Sequence, residues 1–411
     1  MSCKMKNVAI INTCDWGSTG KIAKGLLQNF KLKGFNAIFY YGRGKDSTSP
    51  DMVKIDNELD FAVHIFMTRL TGVQGGWSYR ATKKLISSLI SNQIDTIFII
   101  SIHGYYINEK MLYEYISSNN IRMILTMIDE YAYLGECTNE PECETYKKGY
   151  GKCPNIKKYP SSWFADGCEK VIKRKKDCYS KLNNAVFVGP EFLVKNCRES
   201  FLGKFMNSSI LDEAIDLKLY SPKDSSSLRA KHNISENQKV ILCVAPSTNP
   251  MKGSSFFWDL ARRFEEDDSF VFIHIGYRSS DKSTLPSNLI PISFVEKDED
   301  LAYYYSLADL FVNPSLADAM SNTCLESLAC GTPLLCFDLS GMPYLMDNTV
   351  GTLVTPKNVD ELEKVIRNTP FKSLEMINKC RLYAELRYDN AKYADKLISI
   401  ANNDSLFNNR L

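Results

Sequence analysis

Two acids eight residues apart, Asp318 and Glu326, stand in the most chemically suggestive stretch of the sequence, NPSLADAMSNTCLESLACGTPLLCFDLSGMP at 313–343. The local pattern predicts a strand at Leu310–Asn313 that ends at Pro314 and a loop carrying Asp318. A helix at Asn322–Cys330 then holds Glu326, and after Gly331 a strand runs over Leu334–Phe337. An acid at the end of a strand accepts hydrogen bonds from sugar hydroxyls, and a second acid two turns into the helix reaches a ribose diol. The first-turn N–H groups, about Asn322, Thr323 and Cys324, point at a diphosphate, where the helix dipole favours anions. Gly341-Met342-Pro343 makes another strand-to-helix turn, and a glycine there lets backbone approach a ligand closely. The acid pair alone reads more simply as two surface acids. The full run argues for chemistry.

The elements that must position these groups alternate along the whole chain. Val8–Asn12, Ala37–Tyr41, Thr96–Ser101, Met123–Met127 and Asn184–Val188 read as strands, with helices at Thr19–Leu32, Glu109–Ile116 and Glu191–Phe201. A second series has strands at Val240–Ala245 and Phe270–Ile275 and helices at Ser254–Phe264, Asp298–Leu307 and Val359–Asn368, then helical stretches at Lys372–Leu386 and Asn390–Ala401. Such alternation implies βαβ units and parallel sheets. The expectation is an α/β chain of two Rossmann-like domains whose sheets face a central cleft, since ligands sit at the C-terminal ends of parallel strands. The break falls around Asn207–Asn237, which contains Ser221-Pro222 and a run of serines. The expected division is therefore 1–206, 207–385, and a C-terminal helix at 386–411 packing back on the first domain. The length of 411 residues suits about two domains of roughly 150–200 residues.

The 313–343 segment resembles the acid-x7-acid signature of retaining GT-B glycosyltransferases of family four, with Asp318 where Glu is common and Glu326 as the second acid. The tail ESLACGTPLLCF is similar to that family's E-A-x-A-C-G-T-P-V-I stretch, and LADLFVNPS before it also fits. Asn12–Ala23 (NTCDWGSTGKIA) resembles the first-strand glycine loop of the colanic-acid type of polysaccharide-biosynthesis branch. So do Arg69–Thr82, with Gln74-Gly75 and Ser78, on the acceptor side, and His103–Asn108 after a strand. Lys252-Gly253 lies where the family places a diphosphate-binding lysine. The resemblance implies a GT-B fold and a nucleotide-diphosphate sugar as donor. Lys252 would neutralise the diphosphate, Glu326 bind ribose and Asp318 hold the sugar. Gly17, Ser18, Thr19 and Gly20 would approach the reacting centre, and His103 would shape the acceptor side. Each position has a plainer reading: a turn without a ligand for Gly17–Gly20, a surface lysine for Lys252, a capped loop histidine for His103. A P-loop is disfavoured, because Lys21 is followed by Ile22 rather than Ser or Thr.

The departures from that family bear on mechanism. Ile128-Asp129 stands where the branch has His-Asp, Glu136 where it has a later histidine, and Ser247 where an arginine often precedes the lysine. The hinge motif reads Glu213-Ala214-Ile215-Asp216. A retaining transfer needs little side-chain base when the leaving diphosphate takes the acceptor proton and positioned donors stabilise charge. Asp129, the first polar group after its strand, is the choice for acceptor orientation or base work. Of the branch's four loop cysteines, Cys137, Cys143 and Cys153 remain, and Tyr150 replaces the third. With Cys168 they have the count for structural zinc, but loose spacings favour unlinked thiols in a packed loop, and no metal is expected. The stretch Asp129–Asp166 reads as a long functional insertion.

Bulk properties exclude several classes. A net charge of +2 gives no field for nucleic acid. No stretch approaches the ~20 apolar residues of a membrane span, and no G-x-G-x-x-G of a dinucleotide oxidoreductase follows either first strand. The N-terminal residues do not read as a signal peptide, and thirteen irregularly spaced cysteines fit reduced thiols. The expected setting is the cytoplasm, with peripheral membrane contact. The basic run Lys170–Lys176 is either a solvated helix face or a patch for anionic headgroups or a diphosphate. The expected function is transfer of a sugar from a nucleotide sugar, with no other cofactor, to a glycan or lipid-linked oligosaccharide acceptor in surface-polysaccharide synthesis. The alternative is a non-catalytic sugar-nucleotide binder or partner subunit.

Overall fold

Short apolar runs too brief for buried helices become the strands of two parallel sheets in the computed structural model, which describes residues 6–139, 143, 145–148, 151–153, 156–278 and 285–408. The first sheet comprises β1 (Asn7–Cys14), β2 (Asn36–Arg43), β3 (Met52–Lys54), β4 (Thr96–Ile99), β5 (Arg122–Thr126), β6 (Ala185–Gly189) and β7 (Asn207–Ile210), in the order β3-β2-β1-β4-β5-β6-β7. The second comprises β8 (Lys239–Val244), β9 (Phe270–Ile275), β10 (Leu289–Ile292), β11 (Leu310–Asn313), β12 (Leu334–Phe337) and β13 (Gly351–Val354), in the order β10-β9-β8-β11-β12-β13. Every pairing among these strands is parallel. Helices on both faces explain why the central strands are buried throughout, as in Val8–Ile11 and Ile97–Ile99.

The chain divides into two compact units. One runs to Glu213 and takes in the chain again from Ala391, and the other is Ala214–Asn390. The expected first boundary at 206 lies too early, because Asn207–Ile210 pairs with Val186–Gly189 as the edge strand of the first sheet. Leu211 then joins the same core as Val8, Ile10 and Phe30. The expected second boundary at 386 also lies too early. Tyr388 is fully buried in the second unit, its hydroxyl donates to the Leu345 carbonyl, and its own carbonyl accepts from Ile215 N–H at 2.9 Å. The helix Asn390–Asn402 places Ala394, Leu397 and Ala401 in the core of the first unit. Each such leucine removed from water stabilises its unit by about 1.5–3 kcal/mol.

The sheet orders put a switch point in each unit. In the first unit the order reverses between β1 and β4, and in the second between β8 and β11. At such a point two loops diverge from the carboxyl ends of adjacent strands and leave a crevice. The connections concerned lead into the helix that starts at Gly17 and carry His103 in the first unit, and carry Lys252 and Asp318 in the second.

Candidate active site

In the second unit the two switch-point loops are sewn together. The 3-10 turn Pro250–Lys252 opens on Asn249, whose side chain accepts from Met251 N–H at 3.1 Å, and Met251 O accepts from Leu316 N–H at 2.8 Å. Gly253 has φ +72°, and a Cβ there would run into the Pro314 carbonyl. Only glycine lets the two loops come this close. The Lys252 ammonium consequently donates to the Asp318 carboxylate at 2.6 Å, both side chains being partly exposed. Gly341 closes the other side, donating its N–H to Asp318 O at 2.9 Å; a Cβ there would strike Ala319 O.

The helix Asn322–Ala329 begins beside this pair. Asn313 anchors its start: the amide donates to Ser321 Oγ at 3.0 Å and Cys324 Sγ at 3.1 Å, and Asn313 Oδ1 accepts from Ser315 N–H at 3.2 Å. The first turn presents Asn322 and Thr323, whose N–H groups have no helical carbonyl before them. Cys324 departs from expectation as a donor-binding residue. It is fully buried, and its N–H goes to the Ser321 carbonyl at 3.0 Å because the turn tightens there. Glu326 accepts from the Tyr305 hydroxyl at 2.7 Å and is bonded by Tyr220 as well. Two phenols, one from the helix Asp298–Leu307 and one from the segment after β7, thus aim one carboxylate. Neither tyrosine was legible as a site residue, since each reads as ordinary core. Ser247 donates its N–H to Gly276 O at 3.0 Å, and its hydroxyl accepts from Arg278 N–H at 3.1 Å.

In the first unit His103 and Asp129, which lie on loops after β4 and β5, meet: His103 Nε2 and Asp129 Oδ2 are 2.7 Å apart. The other Asp129 oxygen accepts from Tyr131 N–H at 2.9 Å and so caps the short turn Glu130–Ala132. His103 Nδ1 lies 3.2 Å from the Tyr159 hydroxyl. The histidine is therefore held at both nitrogens, which fixes its ring and orders its tautomer. Its carbonyl accepts from Thr13 at the end of β1. Tyr159 is a further residue that sequence reading missed, since it lies in the irregular 129–166 stretch. Gly17, Ser18, Thr19 and Gly20 do not form a free loop: they are the first turn of the helix Gly17–Leu32, whose Thr19 hydroxyl accepts from Asn12 at 3.1 Å. The helix starts two residues earlier than the apolar pattern predicts, because glycine and serine hide its periodicity.

The basic run divides. In the helix Cys168–Tyr179, Arg174 bonds Glu109 at 3.1 Å and the Gln74 carbonyl. Lys175 is buried and donates to Leu134 O at 2.8 Å, Gly135 O at 3.0 Å and Tyr131 O. Burial lowers its pKa to about 8. Lys170, Lys173 and Lys176 alone remain on the exposed face. The 129–166 stretch is tied to its own unit by bonds such as Trp163 N–H to Arg69 O at 2.8 Å. Tyr150 lies outside the described residues. Cys137, Cys143, Cys153 and Cys168 are not joined in disulfides. A hydrogen bond with Cys153, together with burial, pushes the Cys137 thiol up, and burial pushes Cys168 up to about 12. Among the described residues no group of three or more His, Cys, Asp or Glu is placed to hold a metal. No described helix is long and apolar enough to cross a membrane.

Residues 224–384, which lie within the second unit, match the family model described as glycosyl transferases group 1. A D-inositol 3-phosphate glycosyltransferase of Mycobacterium sp. (strain JLS) is 24% identical over 165 residues, 37% of each chain. The chain thus spans just over a third of that relative's length. The O-antigen chain mannosyltransferase B of Escherichia coli is 34% identical over 65 residues, 16% of this chain and 17% of its own. Among solved structures, the sucrose-phosphate synthase of Thermosynechococcus elongatus superposes with a TM-score of 0.66 at 14% identity, over 96% of this chain and 98% of that one. HepE of Anabaena, in complex with UDP and glucose, superposes with a TM-score of 0.67 at 12% identity, over 97% and 100%. The fold is GT-B.

Proposed function

We propose that this chain is a retaining glycosyltransferase that moves a sugar from a nucleotide-diphosphate sugar to a glycan or lipid-linked oligosaccharide in the synthesis of a surface polysaccharide. The observation that carries the reading is the cluster at the β8/β11 switch point. Lys252, Asp318, the first turn at Asn322–Thr323 and the phenol-held Glu326 lie within a group 1 domain. Lys252 and the helix N-terminus neutralise the diphosphate, Glu326 accepts from the ribose hydroxyls, and Asp318 accepts from the sugar. The transfer itself is stabilised by positioned donors and requires no metal or other cofactor. His103 and Asp129 orient the acceptor hydroxyl, Asp129 keeping the imidazole ready to accept its proton. The HepE complex and the mycobacterial and E. coli relatives support a nucleotide-sugar donor and a glycan product class.

The setting in this reading is the cytoplasmic face of a membrane. Leu59, Val63, Phe66 and Leu70 are all exposed on the helix Glu58–Thr71 and fall within an arc of about 60° at 100° per residue. Trp163 packs on Phe66 with ring centroids 5.6 Å apart, and Phe164 next to it is 84% exposed. An apolar stripe with exposed lysines on a neighbouring helix suits an anionic lipid surface.

The test is a turnover assay with mixed nucleotide sugars and lipid-linked acceptors, run with and without a chelator, alongside nucleotide-diphosphate titration. Nucleotide release with glycan extension, retained in chelator and lost in Asp318→Asn, is the expected result. Nucleotide binding without transfer would establish the non-catalytic alternative instead. Absence of binding would remove both.

A further inference from the structure

A cavity in the first unit is lined by neither His103 nor Asp129. It has a volume of about 620 Å³, within the range of small-molecule sites. Its walls are the carboxyl ends of β1, β2 and β3 and the start of the helix Glu58–Thr71. Two rings face into it. Trp16, half-exposed, and Phe61 flank the Arg43 guanidinium, whose carbon lies 5.9 Å from the Trp16 ring centroid and 5.1 Å from that of Phe61.

Two polar atoms in this wall are buried without a partner. Asp56 is only 6% exposed, and its Oδ1 accepts from Asn57 N–H at 2.8 Å, yet its Oδ2 has no hydrogen-bond partner. Arg43 Nε is likewise buried and unbonded. A buried carboxylate oxygen without a partner is costly, and burial accordingly pushes the Asp56 carboxyl up to about 7. An acceptor and a donor are thus held ready in one wall, beside aromatic faces.

The charge pattern selects the ligand class. Asp15, Asp56 and Glu58 offset Arg43, Lys45 and Lys54, and Lys54 already leans on Asp46 at 4.0 Å. The lining charges balance, so a phosphate or uronate gains no net field here, and a neutral pyranose needs none. Its hydroxyls donate to carboxylates and accept from a guanidinium, and its C–H face lies against an aromatic ring.

We propose that this pocket binds a neutral, hydroxyl-rich saccharide, stacked on Trp16 and Phe61 and hydrogen-bonded by Asp56 and Arg43. That this saccharide is part of the glycan acceptor rests on the glycosyltransferase reading; the binding itself does not.

The experiment is ligand-observed NMR on the full chain with a panel of neutral disaccharides (maltose, cellobiose, mannobiose, galactobiose), a uronic-acid disaccharide, inorganic phosphate and adenosine. Nucleotide-diphosphate binding to the same samples is measured in parallel. A neutral disaccharide is expected to bind at millimolar concentration, at least about tenfold more weakly to Phe61→Ala and Asp56→Ala, while nucleotide-diphosphate affinity is unchanged. Arg43→Met serves as a third variant should either of these melt early. Preference for phosphate, the uronic acid or adenosine would overturn the assignment, as would neutral-sugar binding that survives all three substitutions or binding of no neutral disaccharide at all. Loss of nucleotide binding in the unmodified chain would count against the glycosyltransferase reading alone.

Discussion

The ammonium of Lys252 lies 2.6 Å from the carboxylate of Asp318. The group suited to a diphosphate and the group suited to a sugar therefore hold each other in place. In the proposed function, an arriving diphosphate would give Lys252 a second anionic partner, and sugar hydroxyls would then compete for the lone pairs of Asp318.

Lys252→Ala should weaken nucleotide-diphosphate binding about 10- to 100-fold, the loss expected for a charge-assisted hydrogen bond of about 1.5–3 kcal/mol. Calorimetric titration measures it. Lys252→Arg should recover only part, because the planar guanidinium cannot sit on Asp318 and a phosphate with the point geometry of an ammonium. Unchanged affinity in both variants would detach Lys252 from the donor.

Glu326→Ala should lower affinity for a nucleoside diphosphate while leaving inorganic pyrophosphate binding near its original value, since the carboxylate is assigned to ribose. Tyr305→Phe should give a smaller loss of about 1 kcal/mol. It removes one of the two phenols that aim Glu326 without removing the carboxylate.

Asp129→Asn should reduce kcat far more than it changes donor KM, because the change acts on the orientation of His103 and not on the nucleotide. Tyr159→Phe, which loses the contact at the other ring nitrogen, should lower kcat more mildly. Proportional falls in kcat and donor affinity would place the pair elsewhere in the mechanism.

Burial raises the carboxyl pKa of both Asp56 and Glu136 to about 7. Between the unfolded value near 4 and the folded value near 7 the native state holds the extra proton. Each group therefore favours folding below about pH 4, and that contribution is lost as pH rises through 7. The melting temperature should fall between pH 5 and pH 8, and Asp56→Asn and Glu136→Gln should each flatten the fall. A steeper fall in either variant would contradict the assignment.

Phe66→Ser with Leu70→Ser should lower co-sedimentation with vesicles containing anionic lipid, with no change in melting temperature beyond about 0.5 kcal/mol of stability, because both side chains are exposed. Lys175→Met should do the opposite. It leaves the Tyr131, Leu134 and Gly135 carbonyls unpaired and should destabilise the fold by about 2–4 kcal/mol without affecting vesicle binding.

The sequence by itself determined the α/β class, the two series of parallel strands and the strand–loop–helix that carries Asp318 and Glu326. Those features are local: periodicity, a proline at a strand end and a glycine past a helix act within a few residues of one another, so composition and spacing register them. Strands such as Leu310–Asn313 and Leu334–Phe337 stand where their apolar runs put them. The tertiary structure decided what depends on distant chain. It moved Asn207–Ile210 into the first sheet, because an edge strand is defined by its neighbour and not by its own weak apolarity. It drew His103 onto Asp129 and Tyr159 from three separate loops, and it set Tyr305 and Tyr220 on Glu326. It also split a basic run that looks uniform into a buried anchor at Lys175 and an exposed remainder. Spacing along one helix fixes which side of it a residue faces, but whether carbonyls wait on that side depends on how segments more than forty residues away have folded.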